Sequence, residues 1–142
     1  MSLSFHARNW TLALALLAWP ALTQANIGDD LSQLRQRFGS ASVVGSQMLF
    51  QHDGYSICVY FDGIHAGMEV FVRDGSDPKK TDITQQDIDK ILSDEGAGQP
   101  WTPVQVPSGK PTWIRADGKL LARLSVGDKA DDKYLTIMSN TK

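Results

Sequence analysis

The stretch Phe50–Gly63, FQHDGYSICVYFDG, sets Asp53-Gly54 between two apolar runs rich in β-formers. Asp-Gly in such a place signals a two-residue hairpin, because a type I′ turn requires positive φ at both central positions. The stretch Trp113–Gly127, WIRADGKLLARLSVG, repeats the arrangement around Asp117-Gly118. In both, the next turn glycine follows nine residues later, Gly54 to Gly63 and Gly118 to Gly127. A third β-like run then follows each, GMEVFVR from Gly67 and KYLTIMS from Lys133.

Upstream of each hairpin stands a helix-like phrase, DLSQLRQRFG from Asp30 and DIDKILSDEG from Asp87. Leu31 and Leu34, or Ile88 and Ile91, fall three residues apart on one helical face, and Gly39 or Gly96 follows as a C′ residue. Thr84 is placed to cap the second helix, with Asp87 three residues on as its capping-box partner. Asp29 and Asp30 put negative charge where the first helix dipole favours it. The order predicts an α+β fold of two fused helix–β-hairpin–strand repeats, 26–73 and 82–139, joined by a polar connector at 74–81. The repeats form antiparallel sheet covered on one face by helices, within a single compact domain 26–142. The second repeat carries AGQPWTPVQVPSGKP, read as a Pro- and Gly-rich surface loop.

The two hairpins disagree in phase. After Asp53-Gly54, Tyr55, Ile57, Val59 and Phe61 share a face; after Asp117-Gly118 it is Leu120, Ala122 and Leu124. Counted from the turn, these faces differ by one residue, which in a strand means opposite sides. Either one hairpin has a different loop or a bulge, the bulge being the expected form, or the first presents apolar surface on both sides, with Tyr60 on an interaction surface.

The first 25 residues read as an export signal. His6 and Arg8 precede the short apolar run TLALALLAWPAL, and Thr23 and Ala25 supply small residues at a cleavage site. The run is short of the roughly 20 residues a spanning helix needs. The expectation is an exported protein, periplasmic or extracellular, with no stable membrane span after cleavage.

Lys and Arg number 14 against 16 acidic residues, interspersed, for a formal net charge of −2. Without a basic stripe, nucleic-acid binding is disfavoured. Cys58 is the single cysteine, so no intrachain disulfide forms, and its place in YSICVYF suits a small buried hydrophobe. No Gly-x-Ser-x-Gly elbow, zinc spacing, EF-hand or Gly-rich phosphate loop is present. The acids Asp128, Asp131 and Asp132 read as a solvated turn. No catalytic residue, metal or cofactor is expected.

The segment IGDDLSQLRQRFGSA, followed by hairpin strands, resembles the helix-then-antiparallel-sheet modules of small exported bacterial proteins, the group of outer-membrane assembly lipoproteins and β-lactamase inhibitor proteins. The second half, DITQQDIDKILSDEGAGQPW onward, is similar to small exported bacterial proteins without assigned activity. The resemblance implies a fold and a binding role but transfers no functional residue. Neither a lipidation cysteine nor the inhibitors' cysteine pairs are present.

The functional expectation is a non-enzymatic module that binds a protein or envelope component through a sheet face and the Trp101 loop. The candidate binding residues are Tyr60, Trp101, Trp113, Arg115 and Arg123, since exposed Trp, Tyr and Arg anchor interfaces. The alternatives are a small exported enzyme, hydrolase-like, whose site converges only in three dimensions, and a homodimer formed through exposed strand edges.

Overall fold

The computed structural model describes residues 27–75, 82–128 and 132–140. The expected signal segment, residues 76–81 of the expected connector and Asp131 lie outside the described residues.

Tight turns build the first half. Helix α1 (Leu31–Phe38) is followed by β1 (Ala41–Val44), β2 (Gln47–His52), β3 (Tyr55–Asp62) and β4 (His65–Arg73). Two residues join each successive pair of strands, with Val44 facing Gln47, His52 facing Tyr55 and Asp62 facing His65. At the Asp53-Gly54 turn both central residues have positive φ, 51° and 80°, as type I′ geometry demands. The second half has α2 (Gln85–Glu95), β5 (Trp101–Val104), β6 (Thr112–Arg115), β7 (Leu120–Val126) and β8 (Lys133–Ser139).

All eight described strands form one antiparallel sheet in the order β1-β2-β3-β4-β8-β7-β6-β5. This corrects the expected architecture. The chain is largely β, a single sheet carrying two short helices, rather than two fused helix–hairpin–strand units. Two physical causes account for the difference. Each helix is followed by four strands, because Gly45-Ser46 makes an extra hairpin and the supposed surface loop contains β5. The inner strands β4 and β8 then pair directly, from Met68 facing Met138 to Val72 facing Tyr134, so no boundary divides the sheet.

The phase offset between the hairpins has a simple origin. Asp53-Gly54 is the whole of its turn, whereas the β6–β7 connection runs over residues 116–119 and adds Lys119 after Gly118. The longer loop restores Leu120, Ala122 and Leu124 to the core side. The bulge in the sheet lies elsewhere, where the β3–β4 register shifts between Tyr60 and Phe61. Gly39 ends α1 with φ 89°, but Gly96 stays right-handed, and the chain leaves α2 through Ala97 and Gly98 instead. Gly96 is needed for space: a Cβ there would sit 2.7 Å from the Gln99 carbonyl oxygen.

Both helices lie on one face of the sheet. Phe38 packs on Phe50 and His52, with ring centroids 5.4 and 5.6 Å away. The N-terminus of α2 is fixed by Asp87, which completes the expected capping box with Thr84. Asp87 also accepts a 2.7 Å hydrogen bond from the Tyr55 hydroxyl and pairs with Arg73. Burial would raise the Asp87 pKa, but hydrogen bonds from Tyr55 and Thr84 and the charge of Arg73 outweigh it and hold the carboxyl below its ordinary value. Burial, then the hydrogen bond to Asp87 and its charge, push Tyr55 up to about 12 against the opposing charge of Arg73. Removing the shared acid strands Arg73 and the Tyr55 hydroxyl. Asp87→Ala is therefore expected to lower unfolding free energy by about 3 kcal/mol, and Tyr55→Phe by about 1 kcal/mol, measured by urea denaturation.

Candidate functional site

Strand alternation and the pairing register divide the side chains into two populations. On the helix side lie Phe50, Ile57, Val59, Phe71, Leu135, Ile137 and Ala122, all buried. On the side opposite α1 and α2, two cross-strand rows run through the sheet. One reads Leu49, Cys58, Val70, Thr136, Arg123 and Thr112; the other reads Gln47, Tyr60, Met68, Met138, Leu121 and Ile114. This face is broad, mostly uncharged and lined by half-buried aromatic, sulfur-containing and aliphatic side chains.

The five residues singled out by the sequence do not form one site. Tyr60 and Arg123 lie on the helix-free face. Trp101, Trp113 and Arg115 lie on the other, beside α2. Trp101 starts edge strand β5 and donates its indole N–H to the Leu92 carbonyl at 2.7 Å. Trp113 stands next to it in register, opposite Pro103. Arg115 grips Asp117 with two hydrogen bonds of 3.0 and 2.8 Å and reaches the Glu95 carbonyl at the end of α2. These three residues hold the helix to the sheet. Trp101 thus stands half-buried in an edge strand and tied to α2, where a surface loop was expected. Sequence reasoning missed Met68, which the β3–β4 pairing sets opposite Tyr60, and Met138, which the β4–β8 pairing adds to the same row.

The helix side hides a charged cluster that the sequence did not announce. Glu69 of β4 and Glu95 of α2 are both 0% exposed, and Arg37 of α1 lies between them. Arg37 pairs with Glu95, while its contact with Glu69 is 4.0 Å; both Glu69 oxygens have no hydrogen-bond partner. Burial pushes the Glu69 carboxyl well up, and the Glu95 charge adds to it more than Arg37 offsets. Burial likewise raises Glu95, to about 7, although Arg37 opposes the shift.

Hydrolytic chemistry has little to work with among the described residues. His52 packs on Phe38 on the helix side, while Cys58 is on the opposite face and donates to the Gln47 side-chain oxygen at 2.7 Å. Burial raises the Cys58 thiol pKa, which disfavours a thiolate nucleophile. Cys58 is half-buried on an accessible face rather than a core residue. The buried carboxyls meet an arginine, not a histidine, and line neither of two shallow clefts. One cleft, of about 500 Å³, is walled by Leu92, Pro100, Trp101, Pro103 and Trp113; the other, of about 390 Å³, by Leu31, Val43, Met48, Phe61 and Ile64. No group of three or more metal-ligating side chains occurs among the described residues. None of the described helices is long and apolar enough to cross a membrane.

No family model and no curated protein matches the chain. Among solved structures it is similar to a cysteine-rich secretory protein from Staphylococcus aureus, with 14% identity and a TM-score of 0.41. The match covers 79% of this chain and spans 44% of the length of that one.

The buried glutamates set a sign for pH dependence. A carboxyl whose pKa is raised by folding holds more protons in the folded state than in the unfolded chain. Its contribution is fully present below the ordinary value of 4.5 and is lost as pH rises through about 7 for Glu95, with Glu69 extending the loss upward. Thermal denaturation should show stability falling between about pH 5 and pH 8, at no more than roughly 1.4 kcal/mol per pH unit for each proton concerned. Glu69→Gln should flatten that fall and leave the variant more stable than the wild type at the alkaline end.

Proposed function

We propose that this chain is an exported, non-enzymatic binding module that holds a protein partner against the helix-free face of its sheet. One observation carries the reading: a continuous face of half-buried Tyr, Met, Leu and Val side chains, centred on Tyr60, Met68 and Met138, that neither helix covers. Such a composition gives large contact area with adaptable packing, and monomeric proteins seldom leave broad apolar area without a use. The export reading rests on the His6/Arg8, apolar-run and Thr23/Ala25 pattern, and it places the partner in the envelope or outside the cell.

The second reading, a homodimer, is favoured by a separate feature. Edge strand β1 has no charged side chain between Gly39 and Gln51, and Val43 and Ile64 beside it are 72% and 74% exposed. The opposite edge, β5, carries Pro103, which lacks the N–H that a pairing strand would use. A second copy meeting β1 would lengthen the sheet by antiparallel pairing.

A pull-down from envelope and culture-medium fractions tests the first reading. Tyr60→Ala combined with Met138→Ala is expected to lose the partner while keeping the wild-type circular dichroism spectrum. Trp101→Ala is expected instead to lower thermal stability and to retain the partner once folded. Retention by the double variant would remove the helix-free face from consideration. For the dimer, sedimentation velocity should show concentration-dependent mass in the wild type and a monomer for Val43→Lys; a wild-type monomer at high concentration would dismiss it.

A further inference from the structure

We infer that Arg123 is the charged anchor of the helix-free face, and that the partner segment it receives presents an Asp or Glu carboxylate amid apolar side chains. This rests on the binding reading and adds the chemistry of the partner.

The arginines of the described structure divide by what they meet. Arg37, Arg73 and Arg115 each pair with a carboxylate of this chain, Glu95, Asp87 and Asp117. Arg123 is also half-buried, yet it forms no ion pair with an acid among the described residues, and its Nε–H is shielded from water with no acceptor there. The register explains why. Its cross-strand neighbours are Thr112 and Thr136, and the rows beside it carry Leu121, Met138 and Tyr134. Thr112 and Thr136 are buried and carry no charge, so neither neutralises the guanidinium.

A partly desolvated cation without a counter-ion costs free energy, and here nothing in the fold recovers it. This face would accept Leu or Met in its place, as the neighbouring Leu121 and Met138 illustrate. A guanidinium offers a planar fork of donors matched to a carboxylate, and apolar surroundings strengthen that pair by excluding water. The charge complementarity therefore selects a polypeptide whose acidic side chain projects between apolar ones, the pattern of an extended segment lying across the strands.

The test uses the peptide acetyl-Tyr-Leu-Glu-Leu-Tyr-amide, its Gln counterpart and inorganic phosphate as probes. Titrations are followed by ¹H–¹⁵N spectra that include the Arg123 Nε–H resonance. The Glu peptide is expected to shift Arg123 Nε–H and the amides of Tyr60, Met68 and Met138, and to bind on the order of tenfold more tightly than the Gln peptide. Arg123→Gln should erase that difference, and Arg123→Lys should restore part of it. Equal binding of the two peptides at this face would overturn the role of Arg123 while leaving the binding face in place. Phosphate acting on Arg123 Nε–H at lower concentration than the Glu peptide would reassign the residue to a phosphoanion. Absence of any shift across the face at millimolar peptide would count against both the anchor and the face.

Discussion

The pairing of β4 with β8 is the constraint on which the rest of the molecule depends. Five residue pairs, from Met68–Met138 to Val72–Tyr134, weld two sets of four strands into one sheet. Without it, both inner strands would be edges with a row of unmet backbone groups. With it, the helices α1 and α2 are brought to neighbouring positions on a common face. Their side chains meet across the join, where Arg37 from one helix and Glu95 from the other close over Glu69 of β4.

That join fixes what can be covered. Helices of 8 and 11 residues are about 12 and 16 Å long, whereas eight strands spread over about 34 Å. Two such helices fill one side of the sheet's centre and have no length left for the other. The helix-free face is thus a consequence of the element lengths. The helix layer in turn tolerates a polar centre because three charged groups share it. Two carboxyls and one guanidinium cannot all be ionised there without excess negative charge, so a proton is retained near neutrality. The charged cluster and the helix-free face lie on opposite sides of the same strands.

Much of the local structure was legible in the residues. Asp53-Gly54 read as a type I′ hairpin, and the Thr84–Asp87 capping box read as a helix start; both are short-range chemistry that neighbours in sequence decide. The sheet was less legible. Gly45-Ser46 gave too faint a turn signal to reveal β1, and Pro100 and Pro103 disguised β5 as loop, although an edge strand accepts proline. The β4–β8 pairing is non-local, and no spacing in the chain encodes which edge finds which. The site was legible in part for the same reason. Tyr60 could be assigned from the doubled apolar faces of β3, but its companions Met68 and Met138 belong to strands brought together only by that pairing.

Arg115 and Arg123 show how parity separates roles that composition joins. Both are arginines of the second β-rich stretch, eight residues apart, and either could serve as an interface anchor. Eight is an even number, and in an uninterrupted strand even spacing would place them on one face. The four-residue connection between β6 and β7 folds the chain back, however, so that Ile114 faces Leu121 and Thr112 faces Arg123. Arg115 then points toward the end of α2, where Asp117 and the Glu95 carbonyl satisfy it. Arg123 points the other way, into the broad face where none of the described residues gives it an acid. One residue more or less in that loop would turn β7 over relative to β6 and put both arginines on the same face. The loop that brings Leu120 and Ala122 into the core also leaves a guanidinium on the uncovered surface, so core packing and recognition chemistry follow from a single choice of turn.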